Sequence, residues 1–219
     1  MKVLIACEES QEVCKAFRLL GHEAFSCDTQ QCSGDHPEWH IQDSIWHVLC
    51  KGGSEYPMFW DLIIAHPPCT FLTVSNTYIT RGCSKYTKEE AVEQRKLAKM
   101  FFMGLVYANC DHIAIENPIG IMSTHYRKPD QIIQPFQFGH PESKSTCLWL
   151  KGLPKLKFTD VLQLPESGHW NNQTPSKQNK LGPSAERSKL RSKTYPGIAK
   201  AMAEQWSEYI LKSFELIGN

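Results

Sequence analysis

The first half of the chain alternates short apolar runs with longer amphipathic stretches. Lys2–Ala6, KVLIA, predicts a strand, and Ser10–Leu20 a helix closed by Gly21 at its C-terminal end. His22–Cys27 predicts a second strand ending at Asp28, followed by a polar loop over 29–40 and a helical turn over Ile45–Leu49. Leu62–Ala65 is almost wholly apolar, the pattern of a strand covered on both faces of a parallel sheet. Pro67 and Pro68 have fixed φ and no N–H to donate, so that strand stops there. Lys88–Asn109 carries the longest helical pattern, acidic at its start and later basic and apolar, as the helix dipole favours. His112–Glu116, HIAIE, predicts a further strand stopped by Asn117-Pro118. Beyond Gly152 the pattern weakens into loop punctuated by Pro, Gly and Ser. A last helix, Gly197–Phe214, then carries Ile198, Met202, Trp206 and Ile210 on one face, a packing stripe. Strands alternating with helices imply βαβ units, hence an α/β fold with a mostly parallel central sheet flanked by helices.

Length and composition narrow this picture. A chain of 219 residues suits one well-buried domain, and 41% hydrophobic with 21% charged residues is ordinary for a globular protein. Its expected organisation is a core over 1–153, a short basic segment over 154–193, and a C-terminal helix over 194–219 that packs back on the core. The N-terminal MKVLIACEESQEV holds only a short apolar run before two glutamates, which predicts neither a signal peptide nor a membrane span. Nine cysteines in such a chain fit reduced thiols in a cytoplasmic setting. Net charge is +1, yet residues 151–200 hold ten Lys and Arg against Asp160, Glu166 and Glu186. A basic segment on a more acidic body reads either as a nucleic-acid contact or as a solvated connector.

Four predicted strand ends bring polar residues to one rim of the sheet: Glu8, Asp28, Cys69 and Glu116. In open parallel sheets ligands bind just beyond such carboxyl ends. Cys69, at the mouth of a buried strand, is either a packing thiol or a reactive one. Asp28 suits the ribose hydroxyls of a cofactor or is a turn residue, and Glu8 lines that site or caps the helix that follows. The first loop, ACEESQEV, lacks the G-x-G-x-x-G that a pyrophosphate needs for close backbone approach. That argues against NAD, FAD or ATP and for a nucleoside cofactor without phosphates, such as S-adenosylmethionine. Cys27, Cys32, His36 and His40 have ligand types suited to zinc, but their gaps are generic and Asp28 is better used at the cofactor. No metal is therefore expected. Cys7, Cys14, Cys50, Cys83, Cys110 and Cys147 read as packing thiols.

The stretch Asp61-Leu-Ile-Ile-Ala-His-Pro-Pro-Cys69 resembles the Asp…Pro-Pro-Cys signature of DNA cytosine-C5 methyltransferases, with the same distance from Asp to Cys. Glu116-Asn117-Pro118 is similar to their Glu-Asn-Val element, again after an apolar strand. Gly139-His-Pro-Glu-Ser-Lys144-Ser-Thr146 is similar to their Gly-x-Pro-Gln-x-Arg-x-Arg, with Lys144 and Thr146 standing for the arginines. Thr194-Tyr-Pro-Gly-Ile-Ala-Lys-Ala-Met resembles the closing motif and its helix, so the motifs run in order along nearly the whole chain. The resemblance implies the Rossmann-like fold of S-adenosylmethionine-dependent methyltransferases, with S-adenosyl-L-methionine as cofactor and DNA, through a flipped cytosine, as partner. It implies Cys69 as nucleophile and Glu116 as the group that holds the pyrimidine N3 and exocyclic amine. Ala6, Glu8, Asp28, Asp43 and Pro67 would line the cofactor pocket, Asp28 on the ribose and Asp43 on the adenine amine. Pro68, Asn117, Lys144 and Thr146 would face the substrate.

Four departures from the family pattern change the expectation. Glu8 and Glu9 replace its glycine-rich first motif, and Thr146 replaces an arginine, which implies an altered pyrimidine or an unusual substrate. His66 stands where the family usually has glycine, and reads as pocket-lining or as the base that removes the C5 proton. Only Pro154–Lys193 occupies the interval where relatives carry a sizeable target-recognition domain. There Trp170 would stack on bases while Lys189 and Arg191 hold phosphates. So short a segment predicts limited sequence specificity, and the polar loop Thr73–Lys88 is expected to close over the base. Such short forms are phage-like and suit self-modification against restriction. The same chemistry on RNA or a free pyrimidine nucleotide, or an inactive nucleic-acid-binding protein of this fold, are the alternatives.

Overall fold

The computed structural model describes residues 1–50, 59–74, 85–180 and 192–217. Seven strands form one sheet: β1 (Lys2–Ala6), β2 (Glu23–Asp28), β3 (His40–Gln42), β4 (Leu62–Ala65), β5 (Ile113–Pro118), β6 (Gln131–Ile133) and β7 (Thr146–Lys151). Their order across the sheet is β3-β2-β1-β4-β5-β7-β6. The neighbours from β3 to β5 are parallel, while β7 runs antiparallel to both β5 and β6. The sheet is mostly parallel, flanked by helices and Rossmann-like, as the alternating pattern predicts. Because β1, β2 and β3 step one way and β4 and β5 the other, the boundary between β1 and β4 is the topological switch point.

The helices are α1 (Glu12–Leu19), α2 (Ile45–Cys50), α3 (Lys88–Val106), α4 (Met122–His125) and α5 (Pro196–Ile217). Alternate residues of each central strand point to opposite faces. Val3, Ile5, Leu62 and Ile64 pack with Phe17 of α1 and with Met202, Trp206 and Ile210 of α5. Leu4, Ala6, Ile63 and Ala65 face the other way, onto Phe102 and Leu105 of α3 and Val48 of α2. Both faces of β4 are therefore covered, which is why its sequence is a continuous apolar run rather than an alternation. The stripe Ile198, Met202, Trp206, Ile210 is core, as its spacing predicts. The acidic start of α3 has a specific job: Thr87 and Glu90 form a reciprocal capping box.

Three strands escape the sequence pattern. β3 and β6 are three residues each, too short for a period-2 signal, and lie at the two edges of the sheet. β7 follows a polar loop directly, and nothing local marks it as the antiparallel insert between β5 and β6. Among the described residues no helix is long and apolar enough to cross a membrane.

Candidate active site

β4 ends at the switch point in His66-Pro67-Pro68-Cys69. His66 N–H donates to Ala6 O of β1 at 2.9 Å, after which the two prolines end the ladder. Pro67 is buried and Pro68 exposed, so the chain turns outward before Cys69, which is half-buried. The Cys69 carbonyl accepts from Leu72 N–H at 2.9 Å and Thr73 N–H at 3.1 Å, so the thiol stands at the head of a tight turn. Two outside contacts hold that turn. Arg95 of α3 donates from Nε to Phe71 O at 3.1 Å, and Ile121 N–H donates to Leu72 O at 2.8 Å. Gly120 makes the second approach possible, because a Cβ there would lie 2.2 Å from Leu72 O.

The neighbouring strand supplies Glu116. Ala65 of β4 pairs with Ile115 of β5, which sets Glu116 beside His66, one residue beyond the pair. Glu116 Oε2 lies 3.0 Å from His66 Nδ1. Burial would push the Glu116 carboxyl up, but the bond from His66 and the charge of Lys144 outweigh it and hold the group below its ordinary range. The next residue, Asn117, is buried and donates from Nδ2 to Pro67 O at 2.7 Å, tying the end of β5 to the Pro-Pro turn. Asn117→Ala leaves that carbonyl without its donor, and about 1–3 kcal/mol of stability is expected to be lost, read by urea unfolding.

On the other side of the switch point the glycine-free loop after β1 takes two left-handed steps, at Cys7 (φ 60°) and Gln11 (φ 60°). Each costs a non-glycine residue roughly 1 kcal/mol or more. Gln11 is buried, and its side chain offsets that cost. Its Nε2 donates to Ser26 Oγ at 3.2 Å and His36 O at 2.8 Å, while Oε1 accepts from His36 N–H at 3.1 Å. Glu8 is 5% exposed, and its carboxylate accepts from Val13 N–H at 2.8 Å and Cys14 N–H at 3.2 Å in the first turn of α1. Of the two roles open to Glu8, its carboxylate fills the helix-capping one. A helix N-terminus at this point is where nucleotide-binding folds seat a pyrophosphate. Here the chain places its own carboxyl group there.

The remaining cofactor candidates are spread along the same rim. Ala6 is the buried last residue of β1, and half-buried Asp28 ends β2, where Oδ1 accepts from Gln30 N–H at 2.9 Å. Asp43 Oδ1 accepts from Ser44 N–H at 2.6 Å and from His47 Nδ1 at 2.8 Å, anchoring the start of α2.

The substrate candidates divide. Lys144 lies close enough to Glu116 to stabilise its negative charge, and its Nζ sits 5.9 Å above the Tyr195 ring. Thr146, in contrast, is 5% exposed at the start of β7, opposite Pro118, with Oγ1 donating to Lys144 O at 3.2 Å. It is a strand residue, not a surface contact. Trp170 also corrects the expectation: it is 9% exposed and stacks on Phe136 at 4.6 Å and 4°, so its ring packs inward. Lys189, Arg191, Cys83 and most of Thr73–Lys88 lie outside the described residues.

Two further residues tie this region together. Asn172 grips the loop before β7 with a pair of bonds, accepting from Ser143 N–H at 3.1 Å and donating to Ser143 O at 2.8 Å. Tyr195, within the quoted closing motif, donates its hydroxyl to the Glu142 carboxylate. Together Glu142, Lys144, Asn172, Lys193 and Tyr195 line a cavity of about 340 Å³ that reaches Glu12 of α1. The start of α1, the loop before β7 and the basic segment meet there.

Among the described residues no group of three or more His, Cys, Asp or Glu is placed to hold a metal. Both ring nitrogens of His40 are occupied, by Ser26 Oγ at 2.8 Å and Gln30 O at 2.9 Å, and His36 stacks on Trp39. Burial pushes the Cys14 and Cys27 thiols up to about 12 and Cys147 to about 11, so these packing thiols stay protonated. Cys50 is exposed, against expectation.

No protein-family model matches the chain, and no curated protein matches it in sequence. Among solved structures it is similar to the Dnmt2 methyltransferase of S. pombe, at 15% identity and a TM-score of 0.42, over 71% of this chain and 51% of that one. It is also similar to a DNMT2 mutant of Spodoptera frugiperda, at 16% identity and a TM-score of 0.43, over 78% of this chain and 57% of that one. The chain thus spans little more than half the length of these structures.

Proposed function

We propose that this chain transfers a methyl group from S-adenosylmethionine to C5 of a cytosine in DNA. The observation that carries the reading is that β4 and β5 are adjacent and parallel, so that the turn bearing Cys69 beyond β4 and Glu116 near the end of β5 belong to one rim, with Asn117 bonded to Pro67 O of that turn. A thiol and a carboxylate at one such rim suit addition to an electron-poor ring. Cytosine C5 is a poor nucleophile by itself. When the Cys69 thiolate adds to C6, the C5–C6 double bond opens and C5 becomes enamine-like, able to accept a methyl group. Glu116 holds N3 and the exocyclic amine and passes N3 a proton as charge builds on the ring. Loss of the C5 proton to a base, return of the N3 proton to Glu116 and expulsion of Cys69 as thiolate restore the ring.

S-adenosylmethionine, when bound, supplies an electrophilic methyl group. Asp28, Ala6, Asp43 and Pro67 would hold its nucleoside end, and Glu8 at the head of α1 fits a cofactor that brings no phosphate. A base in duplex DNA must leave the stack to reach Cys69, and Pro68, Lys144 and the cations of 154–193 would meet the strand that carries it. A short enzyme of this kind suits protection of phage DNA against restriction in the host cytoplasm.

The test is transfer of labelled methyl from S-adenosylmethionine to duplex DNA, single-stranded DNA, RNA and dCMP, with 5-fluorocytosine in each to trap the adduct. Label and adduct on DNA support the proposal in full. Product on RNA or dCMP alone moves the substrate and keeps the chemistry. Neither label nor adduct on any substrate sinks it.

A further inference from the structure

His66 is a polar side chain of the site that the chemistry above leaves without a task. Its ring is 9% exposed and contacts Glu116 Oε2 at 3.0 Å through Nδ1. Two acceptors do not face each other at that distance, so beside an ionised Glu116 it is Nδ1 that carries the hydrogen. The opposite nitrogen, Nε2, is buried and has no hydrogen-bond partner among the described residues. A histidine kept only for packing usually has its buried nitrogens satisfied, so this ring is fixed from the Glu116 side alone.

The groups around the pair come from four elements. Glu116 lies on β5, Lys144 precedes β7, and the Cys147 thiol on β7 is pushed up by burial and by the Glu116 charge. Glu8, after β1, has its carboxyl pushed up by burial, which the His66 charge only partly opposes. The two carboxyls have different partners: Glu8 is bound to α1, and Glu116 to His66.

We propose that His66 is a positioning residue that sets both the orientation and the acid strength of Glu116. This rests on the methyl-transfer reading above. With Oε2 held by the Nδ1 hydrogen, Oε1 is the oxygen left for the pyrimidine. Oε1 of the resting carboxylate takes up a proton from solvent, and in the addition step that Oε1–H bond breaks and an N3–H bond forms while Cys69 joins C6. Glu116 is left as a carboxylate, the form that the Nδ1 hydrogen bond favours. In the elimination step the proton returns from N3 to Oε1. His66 keeps its own hydrogens throughout and changes the balance by stabilising one side of the transfer.

The experiment compares wild type, His66→Ala and His66→Asn in the rate of adduct formation on DNA carrying 5-fluorocytosine, from pH 5.5 to 9. His66→Ala is expected to slow the reaction roughly 10- to 100-fold at pH 7.5, because the carboxylate loses the bond that fixes it. His66→Asn, which keeps a donor near Nδ1, restores most of the rate. S-adenosylmethionine affinity stays within about twofold in both variants, as a positioning role outside the cofactor pocket requires. A rate and pH profile for His66→Ala within about threefold of wild type overturns the proposal, as does an Asn variant no better than Ala. Should the Ala variant not fold, ¹⁵N-histidine spectra of the wild-type protein decide. His66 protonated at Nδ1 supports the assignment, and a ring protonated only at Nε2 overturns it. Failure of the wild-type protein itself to form any adduct counts against the methyl-transfer reading, not against the pairing.

Discussion

Cys69→Ala is expected to abolish both methyl transfer and the trapped adduct, with a loss of at least about 10⁴-fold, while the protein still folds. The size of the effect follows from the chemistry. Without a nucleophile at C6 the pyrimidine C5 stays unreactive, and bringing the methyl donor close does not supply what the addition step provides. The specificity follows from burial. Cys14, Cys27 and Cys147 are packed thiols held protonated by their surroundings, so none can substitute for the residue at the turn. Stability changes little because Cys69 is half-buried beyond the sheet, and the turn it heads is held through its backbone carbonyl, which alanine keeps. Incorporation of label and thermal unfolding on the same sample check both halves. Adduct formation by the alanine variant at wild-type rate would remove Cys69 from the mechanism.

Trp206→Ala is expected to cost about 3–5 kcal/mol, the largest stability effect of any single truncation in the core. Trp206 is 0% exposed on α5 and packs against β1, β4 and α1. Its indole Nε1 also donates to Pro154 O at 3.0 Å, so truncation both opens a cavity and leaves a carbonyl without its donor. The preceding residue, Gln205, brackets Lys157, accepting from its N–H at 2.7 Å and donating to its carbonyl at 2.9 Å. Losing Trp206 therefore loosens the start of the basic segment as well as the helix. Trp206→Phe keeps most of the buried area and loses the bond, and about 1–2 kcal/mol is expected. Urea unfolding of the two variants separates packing from hydrogen bonding.

What could be read from the sequence was what local pattern encodes. The apolar run of β4, its Pro-Pro stop, the β5 strand with Glu116 at its end and the α5 stripe all carry their burial in residue type and spacing. β3, β6 and β7 do not. Their place depends on partners distant in the chain, such as Thr146 meeting Pro118 and Ile133, and no short window contains both sides. The site divides the same way. Cys69 and Glu116 are visible as strand ends, whereas the His66–Glu116 contact joins residues 50 apart and appears only when β4 and β5 pair. Trp170 misled because an aromatic in a polar, basic stretch looks available for stacking. Phe136, far from it in sequence, takes that face.

The left-handed steps at Cys7 and Gln11 bear on how a small molecule would arrive at this rim. In many nucleotide-binding loops glycine supplies such turns, and the loop acquires its final shape around the ligand. Here side chains hold the turns: Gln11 is laced to Ser26 and His36, and Cys7 N–H donates to Cys27 O at 2.7 Å. The wall is thus built before anything docks, and little ordering entropy remains to be lost on association. Selectivity at such a wall comes from shape, and a poorly fitting nucleoside meets a surface that does not adjust to it.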